Sequence, residues 1–336
     1  MMILVSCYIW QDMRISKWSN WNSQNSSEAP IQVGGESNTA LDPAGFPIHP
    51  LIMVGLSPMN GRNFWKLLEA RWEEGRFLCV GLDSDAEKIP ESIRRESTRE
   101  TMVAFNRAIV DATKTLVCAY KPNIAFYEAH GDEGLAALRE TAQYIIEQAP
   151  EVPIILDAKR ADIDSTNKGY VDAIFQHLQM DGVTVHPYLG SDALKPFLDH
   201  KDKGVFVLCR TSNKGAGELQ DLITDGEELY KKVAHLVVEK WNVNGNCGVV
   251  VGATYPEELK EVRSIVGDMP ILIPGIGAQG GDLERAVVAG RDSRGKGILV
   301  CVSRSIIFAS HGADFAEAAR KEAEALNDKI NKAMIG

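Results

Sequence analysis

A charged hexapeptide, Asp157-Ala158-Lys159-Arg160-Ala161-Asp162, ends an apolar run with the composition of a buried strand. Because side chains two apart on a strand share a face, we expect Asp157 and Lys159 to point to the same side, with Asp162 on the following loop. An ammonium group that a neighbouring carboxylate holds in place away from water can stabilise a developing negative charge and supply a proton. The alternative is a set of surface ion pairs, which contribute little to stability. The spacing favours a catalytic site.

Two further charged residues occupy corresponding positions in the two preceding apolar runs: Asp83 ends the first, and Lys121 lies near the end of the second. If these runs are neighbouring strands of one parallel sheet, all of these charges meet at one edge as a ring of alternating sign. An unpaired charge there would be costly, so the members of the ring must lie close together. Folding alone does not require such a ring, which indicates a functional role.

A glycine-rich turn and an arginine predict a phosphate site near the C-terminal end of the chain. The turn is PGIGAQGGD (274–282), which exposes backbone N–H groups and leads into a helical pattern. The next apolar run ends in VSRSI (302–306), with Arg304 at the start of a helix. Backbone N–H groups at a helix N-terminus and a fork-shaped guanidinium both suit a phosphate monoester.

The segment RTSNKGAGELQDL (210–222) is long, polar and rich in small residues. This composition is typical of a lid that orders over a ligand, and equally of an ordinary long loop. The sequence leaves both interpretations open.

Short β-branched apolar runs alternate with stretches of helical period from residue 77 onward. Eight such units in about 250 residues predict an α/β fold, a (β/α)₈ barrel whose active site lies at the carboxyl ends of the strands. A doubly wound open sheet is the alternative, but no glycine-rich turn follows the first run. The predicted strands are 77–83, 118–123, 153–159, 182–188, 204–210, 247–253, 271–277 and 297–303.

Helical segments cover the predicted sheet, with apolar residues spaced three and four apart. They include 98–114, 134–149, 226–241 and 256–266. Another amphipathic helix, with Phe64, Leu67, Leu68 and Trp72 on one stripe, precedes the first strand.

The composition changes near residue 60. Residues 11–58 are rich in Ser, Asn, Gln, Gly and Pro without any period, so we expect a low-order N-terminal extension over 1–58 and a barrel domain over 59–336. A second methionine, Met59, stands at this boundary and is a candidate start of translation. A regulatory or docking role for the extension is the alternative.

Bulk properties narrow the class of protein. The net charge of −10 argues against nucleic acid as a partner. No run approaches the roughly 18 to 20 apolar residues that span a bilayer, and the first ten residues lack the basic start of a signal peptide. The six cysteines form no C-x-x-C pair and are interpreted as small buried hydrophobes, which fits a cytoplasmic protein.

Taken together, these motifs resemble the orotidine 5′-phosphate decarboxylases over roughly residues 60–310, and most closely the bacterial variant with the longer opening EARWEEGRFLCVGLDSD. The resemblance rests on Asp-x-Lys-x-x-Asp at 157–162, Lys121, the PGIGAQGG turn and the SRSI arginine. Asp-x-Lys-x-x-Asp alone is shared by a wider group of barrel enzymes. The resemblance implies a carboxy-lyase that forms UMP without a cofactor or metal, as a homodimer with shared active sites.

Family roles can be carried onto matching positions. Lys121, Asp157, Lys159 and Asp162 would form the charged network, with Asp162 reaching into the site of the partner subunit. Lys159 would protonate the C6 carbanion that remains when CO₂ leaves, and Asp157 would lie beside the substrate carboxylate.

The same resemblance implies the binding residues. Asp83 and Lys121 would contact the ribose, as would Thr166 of the partner subunit; the remaining contacts would be Ser212 and Pro274 at the pyrimidine and Gln279 and Arg304 at the phosphate. Thr211 and Asn213 flank Ser212 and are alternatives to it. Position 303 is Ser where the family often has Gly. His186 and Asn123 also lie at strand ends and are interpreted as structural hydrogen-bonding residues rather than metal ligands.

Two other functions are compatible with parts of the pattern. One is a Mg²⁺-dependent sugar-phosphate decarboxylase or aldolase of the same barrel group, but Lys121 stands where a hard cation would need a carboxylate. The other is a non-catalytic sensor of a phosphate ligand, which would not need the complete charged ring.

Overall fold

The computed structural model describes residues 61–276 and 282–335 of the chain. The expected extension over 1–58, the domain start at Met59 and the predicted phosphate ligand Gln279 lie outside the described residues.

Ten strands are described, and eight of them form one parallel sheet. The order across this sheet is β2-β1-β10-β9-β8-β5-β4-β3, and bridges from Tyr120 to Ile154 and from Asn123 to Asp157 join its two end strands. The predicted (β/α)₈ barrel is therefore confirmed, with one strand for each of the eight apolar runs. The strands are β1 (Leu78–Leu82), β2 (Ala119–Pro122), β3 (Ile155–Arg160), β4 (Gly182–Val185), β5 (Gly204–Arg210), β6 (Ile223–Thr224), β7 (Glu227–Glu228), β8 (Cys247–Val251), β9 (Ile271–Pro274) and β10 (Ile298–Val302).

Helices follow the strands and surround the barrel. Side-chain oxygens cap several of them, such as Ser97 before α2, which accepts from the backbone N–H of Glu100. The α-helices are α1 (Phe64–Glu73), α2 (Thr98–Thr113), α3 (Ile124–Glu128), α4 (Gly131–Gln148), α5 (Asp164–Val171), α6 (Ser191–Leu198), α7 (Gly217–Gln220), α8 (Leu229–Leu236), α9 (Pro256–Val266), α10 (Leu283–Gly290), α11 (Arg304–Ile307) and α12 (Phe315–Ile335). No helix in the described ranges has the length and apolarity to cross a membrane.

In two segments the structure adds detail that the sequence did not predict. The helix predicted over 226–241 begins with β7 and ends in a π-helical turn, Val237–Trp241. The polar segment 210–222 begins on the last residue of β5 and carries a 3₁₀ turn, Lys214–Ala216, and then α7. The segment 210–222 is rich in small and polar residues and lacks the apolar period on which a sequence prediction of a helix depends.

Helix α1 closes the amino end of the barrel. The Phe64 ring packs over the first residues of β4 and β5, where a Cβ on Gly204 would lie 2.5 Å from it. Arg62 forms a 2.6 Å ion pair with the buried Asp181. The predicted stripe is only partly right, since Leu67 is half-buried whereas Arg71 is buried. With the amino end filled, the open end is the carboxyl end of the strands.

Candidate active site

A cavity of about 500 Å³ opens at the carboxyl ends of the barrel strands. This volume suits a ligand of nucleotide size. Seven of the ten residues predicted for the site line it: Asp83, Lys121, Asp157, Lys159, Ser212, Pro274 and Arg304. The predicted ring and the predicted phosphate arginine therefore share one cavity.

The Asp157 carboxylate is the centre of the charged ring. Lys121 Nζ donates to its Oδ2 at 2.7 Å, and Lys159 Nζ donates to its Oδ1 at 2.6 Å. The two lysines differ in environment, since the Lys121 side chain is 5% exposed and that of Lys159 is 50% exposed. Lys121 is thus a fixed internal cation, and Lys159 presents its ammonium group to the cavity.

Burial and charge act in opposite directions on these groups. Burial raises the pKa of Asp157, but the ammonium groups of Lys121 and Lys159 outweigh it and hold this pKa well below its usual value. Burial lowers the pKa of Lys121, but the neighbouring Cys301, Asp157 and Asp83 together raise it well above its usual value. Asp157 and Lys121 therefore remain an ion pair at neutral pH.

The backbone at this point of β3 is not a regular strand. Lys159 has a φ of 49° and Ala161 a φ of 149°, both unusual for residues with a side chain, and the pairing of β3 with β4 slips between Leu156 and Arg160. Asp157 and Lys159 do face the same cavity, as predicted, but a regular alternation of side chains is not the reason. Such local strain persists only where surrounding contacts enforce it.

Thr184 on β4 supplies those contacts and was not among the predicted site residues. Its buried Oγ1 accepts from the backbone N–H groups of Ala158 and Lys159, at 3.1 and 3.0 Å. The same hydroxyl donates to Asp157 Oδ1 at 3.0 Å. Threonine is common in strands, so nothing in the run GVTV distinguishes this one.

Asp83 at the end of β1 presents a buried carboxylate oxygen, Oδ1, that has no hydrogen-bond partner among the described residues. Beside it, Ser84 donates to Asn106 Oδ1 at 2.5 Å, and Asn106 donates to the Tyr127 hydroxyl at 3.1 Å. This network lies outside the cavity and fixes the strand end. An unsatisfied acceptor in the cavity wall is available to a hydroxyl of a ligand.

Asp162 and Thr166 do not line the cavity of their own chain. The backbone N–H of Asp162 donates to Asn167 Oδ1 at 2.8 Å, and Thr166 lies exposed on α5. Their predicted contribution to a partner subunit's site stays a prediction.

His186 and Asn123 were predicted to be structural hydrogen-bonding residues; both make such contacts, but Asn123 also lines the cavity. His186 Nδ1 accepts from the backbone N–H of Tyr188 at 3.3 Å, and Asn123 Oδ1 caps α3 by accepting from Ala125 N at 3.2 Å. No group of three His, Cys, Asp or Glu side chains within 61–276 and 282–335 is placed to hold a metal ion.

The segment after β5 forms one wall of the cavity. Thr211, Ser212 and Asn213 all line it, so the cavity wall does not single out Ser212. Gln220 of α7 also lines it and was not predicted as a site residue. Gln220 Oε1 accepts from the Thr211 backbone N–H, and its Nε2 donates to Thr211 Oγ1, both at 2.8 Å.

Another part of the cavity wall contains Arg304 at the start of α11, which is exposed and forms no ion pair with any residue of the described ranges. Ser303 precedes it, and a Cβ on Gly81 would lie 1.9 Å from Ser303 Oγ. Glycine at position 81 of β1 thus makes room for serine at position 303. This contact explains how the chain accommodates serine at a position where the resemblance led us to expect glycine.

Comparison with known proteins places this geometry among related barrels. Residues 76–321 match the model of the orotidine 5′-phosphate decarboxylase / HUMPS family. An orotidine 5′-phosphate decarboxylase of Cellvibrio japonicus is 48% identical over 81% of this chain and 99% of its own length. One from Thermomicrobium roseum is 54% identical over 76% of this chain and 90% of its own length. The structure of the Leishmania donovani OMP decarboxylase superposes with a TM-score of 0.69 at 39% identity, covering 80% of this chain and 98% of that one.

The Gly81–Ser303 contact predicts a compensating pair of substitutions. We expect Gly81→Ala to lower the free energy of unfolding by about 2 kcal/mol because the added methyl group overpacks the strand end. Gly81→Ala combined with Ser303→Gly should recover most of this loss. Chemical denaturation measures both values. Gly169→Ala is the control, since a Cβ there meets no atom within 4 Å; equal losses at positions 81 and 169 would contradict the prediction.

The depressed pKa of Asp157 predicts how its contribution to stability depends on pH. Asp157→Asn leaves two ammonium groups without their shared carboxylate, so we expect a loss of about 3 kcal/mol at pH 7. A depressed folded-state pKa stabilises the protein above the unfolded value, about pH 4, and this stabilisation is lost as the pH falls through the folded value. The difference from the parent protein should therefore be constant between pH 7 and 5 and shrink below 4.

Urea unfolding across this pH range measures the effect. Asp225→Asn, which removes an exposed carboxylate 3.3 Å from Lys232, is the control and should cost less than about 0.5 kcal/mol at any pH. A difference for Asp157→Asn that does not change between pH 5 and 3 would be inconsistent with the depressed pKa.

Proposed function

The chain belongs to the orotidine 5′-phosphate decarboxylase / HUMPS family, and we propose that it is a carboxy-lyase that converts orotidine 5′-phosphate to UMP in pyrimidine biosynthesis, without a cofactor. The observation that carries the proposal is the Asp157 carboxylate held between Lys121 and Lys159 in the wall of a cavity of nucleotide size. The proposed catalytic domain is residues 59–336, and the family match at 76–321 falls inside it.

In the proposed reaction the bond between C6 and the substrate carboxylate breaks, CO₂ leaves and the electron pair stays on C6. No ring carbonyl stabilises this carbanion directly by resonance, so the protein must supply a preorganised positive charge. The Lys159 ammonium supports this role because it faces the cavity and is held by Asp157. Its proton passes to C6 to give UMP, and Lys159 regains a proton from solvent.

One lysine cannot account for a barrier reduction near the upper part of the range of about 8–23 kcal/mol that enzymes achieve. Binding energy from the ribose and phosphate must therefore help to organise the site. In the proposed complex Arg304 and Gln279 hold the phosphate, and Asp83 and Lys121 hold the ribose. Ser212 and Pro274 lie at the pyrimidine. The unsatisfied Asp83 Oδ1 supports the ribose contact.

The Mg²⁺-dependent alternative fits the donor set poorly. A hard cation needs free carboxylate oxygens, whereas both oxygens of Asp157 accept from ammonium groups. A sensor without catalysis would need the phosphate arginine but not the charged ring. Activity measurements distinguish both alternative functions from metal-independent decarboxylation.

The proposed enzyme is a homodimer in which Asp162 and Thr166 of the partner subunit complete each site. Their position outside their own cavity supports this arrangement. Exposed apolar side chains follow β3, β4 and β5, which supports burial against a second copy. They are Ile163, Tyr188, Leu189, Leu222 and Ile223. The five described cysteines are all free and buried, which supports a cytoplasmic location.

Turnover of orotidine 5′-phosphate is the direct test. We expect purified protein to consume it, with loss of the orotate-type absorbance, and we expect Lys159→Ala to lower kcat by at least about 10⁴-fold while UMP binding falls far less. Lys195→Ala is the matched control and should retain full activity, since it removes an exposed ammonium group on the outer helix α6 that pairs with Asp199, directly after that helix.

Unchanged kcat in Lys159→Ala would exclude the proposed proton donor. Exhaustive chelation should leave activity intact, and loss of decarboxylation that Mg²⁺ restores would favour the metal-dependent alternative. A folded protein that binds UMP but shows no turnover would favour the sensor.

Shared sites predict complementation between two inactive variants. A heterodimer of Asp162→Ala and Lys159→Ala chains contains one site with both residues intact and one with neither. We therefore expect mixed and re-equilibrated proteins to regain part of the activity that each lacks alone, measured as decarboxylation after chain exchange. No recovery in heterodimers verified by mass would show that Asp162 does not serve the partner's site.

A further inference from the structure

Arg210, the last residue of β5, is a buried cation that has no role in the proposed chemistry. It is 2% exposed and does not line the cavity. Its guanidinium lies 4.0 Å from the centre of the Tyr255 ring, a cation–π distance. A charge this deep in the protein is costly unless it is paired and hydrogen-bonded. Its partners therefore show what the residue holds in place.

Both side-chain acceptors of Arg210 in the described chain belong to the far end of the segment 211–222. Arg210 Nη1 donates to Gln220 Oε1 at 3.2 Å, and its Nη2 lies 3.2 Å from a carboxylate oxygen of Asp221. Gln220 ends α7, and Asp221 follows it directly. The guanidinium thus ties the end of this segment back to the strand from which the segment starts.

A hydrogen-bond relay continues from Gln220 to the cavity wall. Gln220 bonds both the backbone N–H and the hydroxyl of Thr211. The Thr211 hydroxyl in turn donates to Asn213 Oδ1 at 2.7 Å. Thr211 and Asn213 lie on either side of Ser212, so the relay fixes the three residues that form this wall.

The energetics favour this closed arrangement before any ligand is bound. Moving 211–222 away would break the contacts of the guanidinium with both of its acceptors, and hydrogen bonds to a charged group stabilise more than those between neutral groups. A binding wall that is already in place spares the ligand the entropy of ordering it.

We propose that Arg210 is a positioning residue that holds the 211–222 segment against the barrel and so presents the Thr211–Ser212–Asn213 wall to the pyrimidine-nucleotide ligand. The expected effect on ligand binding and kinetics rests on the proposed function. The structural role of Arg210 in holding the segment 211–222, which we call the latch, does not. Arg210 acts through Gln220 and touches no substrate.

Arg263 provides the matched control. It is also a largely buried arginine, but its guanidinium donates to backbone carbonyls, among them those of Gly290 and Gly297, away from the cavity. Removing either guanidinium should destabilise the fold. Removing only that of Arg210 should release the segment 211–222.

Limited proteolysis tests the latch without any assay of activity. Trypsin can cleave after the exposed Lys214, inside the segment. We expect Arg210→Met to increase the rate of cleavage at this bond roughly tenfold, with UMP restoring protection, because hydrogen bonds to a charged group are lost. Arg210→Lys should restore part of the protection, and Arg263→Met should leave cleavage at Lys214 unchanged at a temperature where it remains folded.

The kinetic arm measures KM against kcat. A lost binding wall should weaken UMP binding and raise KM by about tenfold in Arg210→Met, with a smaller change in kcat. If Arg210→Met does not fold, Gln220→Ala breaks the same hydrogen-bond relay at a half-buried residue. It should show the same increases in cleavage at Lys214 and in KM. Unchanged cleavage and UMP affinity in a folded variant would overturn the proposal. Absence of turnover in the parent protein would instead contradict the proposed function. The cleavage rates would still show whether Arg210 holds the segment 211–222 in place.

Discussion

The shared Asp157 carboxylate is the interaction on which the rest of the site depends. Two ammonium groups can lie this close at the mouth of a barrel only because one carboxylate accepts from both, at 2.7 and 2.6 Å. The residues come from neighbouring strands, and the bridge between Asn123 and Asp157 is also one of the two that close the barrel between β2 and β3. Barrel closure and assembly of the charged ring are therefore one structural event. A preorganised field of this kind needs no rearrangement when negative charge develops.

The barrel separates the contacts that stabilise it from those that strain it. At the amino end, Phe64 packs against the first residues of β4 and β5, and the Arg62–Asp181 ion pair holds the chain before α1 to the residue before β4. At the carboxyl end, Lys159 and Ala161 have positive φ angles, and the register of β3 slips. Thr184 compensates for that slip by accepting from two backbone N–H groups that regular pairing would otherwise use. Strain at one end is tolerated because tight packing at the other end and around the barrel keeps the strands in place.

The sequence was sufficient for the features that periodicity and charge determine. The eight strands follow from short β-branched apolar runs that alternate with stretches of helical period, and the ring follows from charges that recur at strand ends. Thr184, Gln220 and Arg210 were missed because their function lies in contacts with side chains and backbone of other turns and strands, while their types are ordinary where they occur. The left-handed backbone at Lys159 was also beyond prediction, since lysine gives no sign of a positive φ. The reason for glycine at position 81 also lies outside its own strand, because the residue that needs the space is Ser303, far along the chain.

Lys121 and Lys159 differ in how far they are exposed to water, and this difference bears on what ligand binding does to the site. Lys121 is already desolvated and its interaction with Asp157 is strong, whereas half of the Lys159 side chain still meets solvent. The field of an ammonium group rises as water is excluded, because the effective dielectric constant falls. A ligand seated between Ser212 and Arg304 would occupy the cavity that Lys159 faces and so displace that water. In the proposed reaction, substrate binding would then strengthen the field at the position where the carbanion forms, and the proposed phosphate and ribose contacts would contribute to catalysis through the same step.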